Sequence, residues 1–262
     1  MNICRKKNII KKCIFEFLGT GVIIFFGLSC LAVSKLTNIK LNQLEISCIW
    51  GLSVAISIYF TSTTSGSHLN PAITIFFWLF SKFNKKKVLP YVISQILGSF
   101  CFTIIVYYFF SHTLNAFIKK HNIIIGTIES MDLAYIFCVY PNYHKSVIYD
   151  SIIEIISNIL FIIILLELNK KKYIFFLKYK FMIPMLIGCV ICIINLVINP
   201  FSNISLNPAR DLGPKIFLSL MGWGTLSFTG GNNNILYSFI PNICPIVGVN
   251  LGGWIYKNIY NN

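Results

Sequence analysis

The sequence predicts an all-α membrane protein with six transmembrane helices and two re-entrant half-helices, arranged as an inverted repeat. Three observations carry this prediction. Only 11% of the 262 residues are charged while 56% are hydrophobic, against about 25% charged in soluble domains. Six apolar runs are each close to the roughly 20 residues that span a hydrocarbon core. The tripeptide Asn-Pro-Ala occurs twice, at 70–72 and 207–209, and each copy opens a shorter apolar stretch.

The six spans are expected near 13–34, 44–62, 88–110, 147–167, 181–199 and 236–256. The first follows Arg5, Lys6 and Lys7 and is read as retained, because no small-residue cleavage site follows it. The fourth holds the run 152–166, which contains one charge, Glu154. The two leftover stretches, 71–80 and 208–220, are about 15 Å and about 20 Å long at 1.5 Å per residue, well short of the core thickness. Neither can cross alone. Asn70 and Asn207 are suited to cap helix N-termini, and Pro71 and Pro208 to the first helical position.

Orientation follows from lysine and arginine. The N-terminus (with Lys11 and Lys12) and the segments 82–87 and 170–180 are strongly basic, whereas 35–43 and the long stretch 111–145 are less so. The positive-inside rule then places both termini in the cytoplasm. The net charge of +14 is distributed in these short clusters between apolar runs, a pattern of cytoplasmic loops and not of nucleic-acid binding. The nine cysteines lie mostly inside apolar segments, where free cysteine behaves as a small hydrophobe. Cys189 and Cys192 form a C-x-x-C with no histidine or second pair nearby, read as helix packing and not as a zinc or redox site.

The halves resemble each other. Residues 65–72 align with 202–209. Glu16 precedes Asn70 by about 54 residues and Glu154 precedes Asn207 by about 53, as an internal repeat predicts. Three spans per half force the second copy to run in the opposite sense. The chain is therefore expected to be one domain over 1–262, with halves of about 1–115 and 145–262, whose half-helices enter from opposite faces and meet at the midplane.

That meeting has chemical consequences. A helix N-terminus exposes unpaired N–H groups and carries about half a positive charge. Two of them create a centre that disfavours cations. Asn70 and Asn207 would offer amide donors to a passing oxygen. The approach segments, with Gly66, Ser67 and His68 in the first half and Asn203, Ile204 and Ser205 in the second, would leave carbonyls free to line a wet path. A row of acceptors opposite two donors suits water or a hydroxyl, which needs both.

Arg210 follows the second motif. A charge at membrane depth costs about 2.5–3.5 kcal/mol on insertion scales. It is read as a pore-lining donor, with an ion pair to Asp211 as the alternative. Asp211 and Lys215 lie at i, i+4 and can pair with each other, leaving Arg210 free. Glu16 and Glu154 can each hold backbone N–H groups of the neighbouring loop, with a proton relay as the sharper alternative. The His68 side chain is expected to hold its loop while its backbone lines the path. Trp50 in the second span is by itself packing or an interface anchor. No G-x-x-x-x-G-K-[ST] phosphate loop and no catalytic constellation occurs, so neither an enzyme nor a cofactor or metal site is expected.

With these features in place the sequence resembles the major intrinsic protein (aquaporin) family, more narrowly its bacterial glycerol-facilitator branch. The likeness runs over nearly the whole chain. Its most specific pieces are 49–51, 65–72, Tyr140-Pro141-Asn142, 207–215, 222–224 and 228–231. The resemblance implies an aquaporin-like fold and a homotetramer in membrane lipid with one pore per subunit. It implies passage of glycerol and similar small neutral solutes, with some water, across a bacterial inner membrane. It also implies a narrow point formed by a few side chains. There Trp50 and Arg210 match the glycerol branch, whereas Ile204 stands where that branch has Phe, and Asn195 where it has Gly. A mainly water-selective channel of the same fold is the alternative, and a coupled secondary transporter the next.

Overall fold

The computed structural model describes residues 2–140, 146–170, 182–230 and 236–260. Pro141, Asn142, Gly231 and the basic segment beyond Lys170 lie outside these residues.

Among the described residues all regular structure is helical. The long helices are α1 (Asn2–Leu36), α2 (Gln43–Thr61), α4 (Lys85–Phe109), α7 (Val147–Leu168), α8 (Met182–Ile198) and α11 (Leu236–Tyr260). Short α3 (Pro71–Phe80) and α9 (Pro208–Leu218) are the two half-length helices. Among the described residues, five helices are long and apolar enough to cross a membrane, α8 being described over 17 residues. The predicted spans and the helices coincide apart from their ends. α1 begins well before residue 13 because hydropathy marks where lipid contact starts, not where backbone hydrogen bonding does. α9 stops at Leu218, short of the predicted 220, and runs into a wide turn, Ser219–Trp223, where Gly222 has φ 104.

Local chemistry sets the starts. The Asn42 side chain accepts from Glu45 N at 3.0 Å and the Glu45 carboxylate accepts from Asn42 N at 2.7 Å, a reciprocal cap for α2. Asn84 and Ser146 cap α4 and α7 in the same way on one side.

The stretch 111–140 is more ordered than its sequence suggests. It contains α5 (Ser111–His121), a turn of 3-10 helix (Ile128–Ser130), α6 (Met131–Ala134), and a buried run including Leu133, Phe137 and Tyr140. Trp223 Nε1 donates to the Ser130 carbonyl at 3.2 Å and fastens this stretch to the turn after α9, which leads into the short α10 (Leu226–Thr229).

The two halves pack alike. α4 lies against α1, and α11 against α7. A Cβ on Gly98 would run into the carbonyl of Phe17, and one on Gly248 would come within 2.6 Å of the carbonyl of Ile155. Phe17 and Ile155 each follow the buried glutamate of their half. Without a hydrophobic drive between lipid-bathed helices, such close backbone approach is what packs them. The half-helices cross over: α3 packs on α11 and α9 on α4. Each half therefore seats the other's short helix.

Candidate functional site

The two short helices meet head to head. Asn70 and Asn207 stand in extended backbone, φ −156 and φ −147, and each spends its side-chain oxygen on its own helix. Asn70 Oδ1 accepts from Ala72 N at 2.8 Å, and Asn207 Oδ1 from Ala209 N at 3.0 Å. The side-chain nitrogens reach across. Asn70 Nδ2 donates to the Leu206 carbonyl and Asn207 Nδ2 to the Leu69 carbonyl, both at 2.8 Å. Pro71 and Pro208 occupy the first helical turn, where no N–H is needed.

The leucine before each asparagine is left-handed, with φ 53 at Leu69 and φ 57 at Leu206. That conformation costs an ordinary L-residue roughly 1–2 kcal/mol. Something must hold it, and in each half a glutamate does. The Glu16 carboxylate accepts from His68 N at 3.0 Å, Leu69 N at 2.6 Å and Gln95 Nε2 at 2.8 Å. Glu154 accepts from Ser205 N at 2.8 Å, Leu206 N at 2.7 Å and Asn158 Nδ2 at 3.0 Å. Both glutamates are buried. Carboxylates accepting several N–H bonds can orient an irregular loop in an apolar interior, where unmet backbone groups are costly.

A cavity of about 430 Å³ runs past this junction. Its polar wall includes Gly66, Ser67, His68 and Asn70 from the first approach segment, and Ser205 and Asn207 from the second. Aliphatic side chains, Val54, Ile58, Ile187 and Ile191 among them, line it as well. His68 holds its loop: its Nδ1 lies 3.2 Å from Thr74 Oγ1, and its ring stacks 4.9 Å from that of Phe77.

Trp50, Asn195, Ile204 and Arg210 also line the cavity. The Arg210 guanidinium lies 4.8 Å from the Trp50 ring centroid, within cation–π range. Its Nη1 is buried without a protein partner. Asp211 is occupied elsewhere. It pairs with Lys215 at 2.6 Å, both side chains fully buried, and accepts from Val139 N at 2.8 Å. Lys215 Nζ also lies 5.2 Å from the Tyr140 ring centroid. Arg210 is thus left to the cavity.

Asn203 is the one predicted lining residue that stands apart from the wall. It is exposed, and its Nδ2 donates to the Tyr140 carbonyl at 3.2 Å. Sequence reasoning missed Gln95, Thr74 and Asn158. Thr74 Oγ1 donates to the Asn70 carbonyl at 3.0 Å and accepts from Gln95 at 3.0 Å, while Asn158 lies one turn after Glu154. A polar residue one turn from an intramembrane glutamate was the available signal for Asn158. Gln95 had none, since its partner is 79 residues away.

A helical membrane bundle with two half-helices meeting beside a cavity lined partly by polar groups defines a channel. The family model for "Major intrinsic protein" matches residues 3–256, and the chain belongs to that family. It is similar to the glycerol uptake facilitator protein of Buchnera aphidicola subsp. Acyrthosiphon pisum (strain APS), 63% identical over 262 residues that make up 100% of both chains. The glycerol uptake facilitator protein of Escherichia coli (strain K12) is 41% identical over 248 residues, 95% of this chain and 87% of that one. Among solved structures, the aquaglyceroporin from Plasmodium falciparum matches with a TM-score of 0.81 at 25% identity, covering 96% of each chain.

Proposed function

We propose that the protein is a passive, gradient-driven channel for glycerol and related small neutral solutes, with some water. The observation that carries this is the mixed lining of the cavity. Part of it is the Asn70 and Asn207 amides with the approach segments, and part is aliphatic. A polyol has one edge of hydroxyls that donate and accept, and one edge of carbon. It can slide along such a path keeping both edges satisfied. Trp50 and Ile204 face the carbon edge, Arg210 and Asn195 grip hydroxyls, and the paired helix N-termini with Arg210 repel cations. Glu16 and Glu154 are scaffolds: each is saturated with loop N–H donors and holds carbonyls towards the path. Nothing is converted, so the protein acts as a channel and not as an enzyme.

The fuller reading is a homotetramer with one pore per subunit, in a bacterial inner membrane, with both termini cytoplasmic. Each subunit is a single domain of two halves, about 1–115 and 145–262. Cross-packing of α3 on α11 and α9 on α4 supports the single domain.

Stopped-flow swelling of proteoliposomes tests the solute. A glycerol permeability no greater than that of empty liposomes would sink the claim. Asn195 favours a second reading, a mainly water-selective channel, because it places a carboxamide in the narrow wall. The ratio of water to glycerol rates in the same assay separates the two.

A further inference from the structure

The C-x-x-C of α8 acquires a different meaning once its neighbours are visible. Cys192 Sγ lies 3.5 Å from Cys48 Sγ on α2, a residue 144 positions away. Both residues are half-buried, and both are free thiols. Cys189 faces outward and is exposed.

The contact is part of a regular antiparallel seam. One turn along, Gly51 and Gly188 face each other so closely that a Cβ on either would run into the other's carbonyl oxygen. A Cβ on Gly51 would also come to 3.0 Å from Cys192 Cβ. In the opposite direction, Gln43 Nε2 donates to the Asn195 carbonyl at 3.2 Å. Three rungs (43 with 195, 48 with 192, 51 with 188) fix the register, and the glycine rung brings the backbones near enough for the thiols to meet. A disulfide needs a sulfur separation of about 2.05 Å and Cα atoms roughly 4.4–6.8 Å apart. The Cys48 and Cys192 sulfurs, 3.5 Å apart, must close by about 1.5 Å to reach bonding distance.

The seam also borders the cavity. Trp50 lies two residues after Cys48, and Asn195 three after Cys192, and both are in the wall. A covalent link at this rung ties the helix that carries one to the helix that carries the other.

We propose that Cys48 and Cys192 are a modification site, a thiol pair that a small neutral disulfide oxidises to an interhelical disulfide pinning α2 to α8. One cysteine sulfur attacks the reagent, forming a mixed disulfide and releasing one reagent thiol. The second cysteine sulfur displaces the other reagent thiol and closes the Cys48–Cys192 bond. Two cysteine thiols lose two electrons and two protons, and the reagent disulfide takes up both as two thiols. The proposal rests on helix packing alone and is independent of which solute the cavity carries.

The test uses the full-length protein in liposomes, treated with 2,2′-dipyridyl disulfide, whose thiopyridone product absorbs light. The expected result has three parts: two thiopyridones released at this site per protein, a cross-linked peptide containing Cys48 and Cys192 by mass spectrometry, and a thermal unfolding midpoint that rises and falls back with reductant. Cys48→Ala and Cys192→Ala should each abolish the cross-link and the shift while Cys189 still reacts. The proposal is overturned if the peptides stay unlinked while Cys189 is modified, if Cys189 is the partner in the cross-link, or if neither thiol of the pair reacts. Each variant serves as the control for the other should one fail to fold.

Discussion

Asn207 donates its side-chain N–H to the carbonyl of Leu69 at 2.8 Å, across 138 residues of chain. The bond has a mirror in Asn70 and Leu206. Each asparagine thus caps its own helix with oxygen and clasps the opposite loop with nitrogen, a division of labour that the near-isosteric aspartate cannot perform.

Asn207→Asp should therefore separate the two tasks. The cap to Ala209 survives, but a second acceptor faces the Leu69 carbonyl. The expected loss is about 1–3 kcal/mol, the penalty for an unmet buried polar group. Thermal unfolding in detergent and solute swelling should both fall, and Asn70→Asp should behave alike.

Glu154→Gln replaces a carboxylate that accepts from Ser205, Leu206 and Asn158. Glutamine keeps one acceptor and turns an NH2 towards N–H donors. A loss of about 1–3 kcal/mol is expected here as well, with reduced solute flux. Flux through the wild type should not depend on an imposed pH gradient. A flux that follows such a gradient would favour the relay role for the glutamates.

Arg210→Ala should remove the cation barrier on one side of the junction. Planar-bilayer conductance with sodium or potassium is expected to rise above that of the wild type. Unchanged exclusion of cations would count against the filter role.

Asn195→Gly opens the narrow wall. The glycerol-to-water permeability ratio should rise by about threefold to tenfold, equivalent to about 0.7–1.4 kcal/mol of barrier. A ratio that stays flat would mean that Asn195 does not set solute choice.

Asp211→Asn leaves Lys215 charged and fully buried without its 2.6 Å partner. Breaking one side of such a pair costs about 3–5 kcal/mol. Adding Lys215→Met should recover much of it, read as the denaturant midpoint. The single variant should also loosen the segment ending at Tyr140, because Asp211 holds Val139 N.

Much of this arrangement is legible in the chain itself. A half-length apolar stretch opened by Asn-Pro can only be a short helix with a capped start, so α3 and α9 follow from length and capping. The glutamates are legible because a carboxylate in an apolar run must find donors, and the only nearby backbone not engaged in helix is the approach segment. What stays hidden is contact between distant residues of ordinary type. Nothing about Gln95 distinguishes it from any polar residue in a helix until Glu16 is beside it. The order in 111–140 is hidden for the same reason. Its buried residues, such as Leu133 and Phe137, pack against Trp223 and its neighbours in the second half and not against one another alone. Asn203 is expected in the wall as part of its approach segment, yet its side chain is exposed and donates to the Tyr140 carbonyl, a partner the sequence does not reveal.

The reciprocal asparagine clasp also sets an order of assembly. Asn70 is inserted long before its acceptor, the Leu206 carbonyl, has been synthesised, since 136 residues separate them. A nascent chain that has delivered only the first three spans holds a re-entrant loop with an unanswered donor, and α3 lacks the helix, α11, on which it rests. The first half therefore holds a polar loop whose partners lie in the second. Only the arrival of the last two spans seals it, so a truncation after α9 would abandon both halves together.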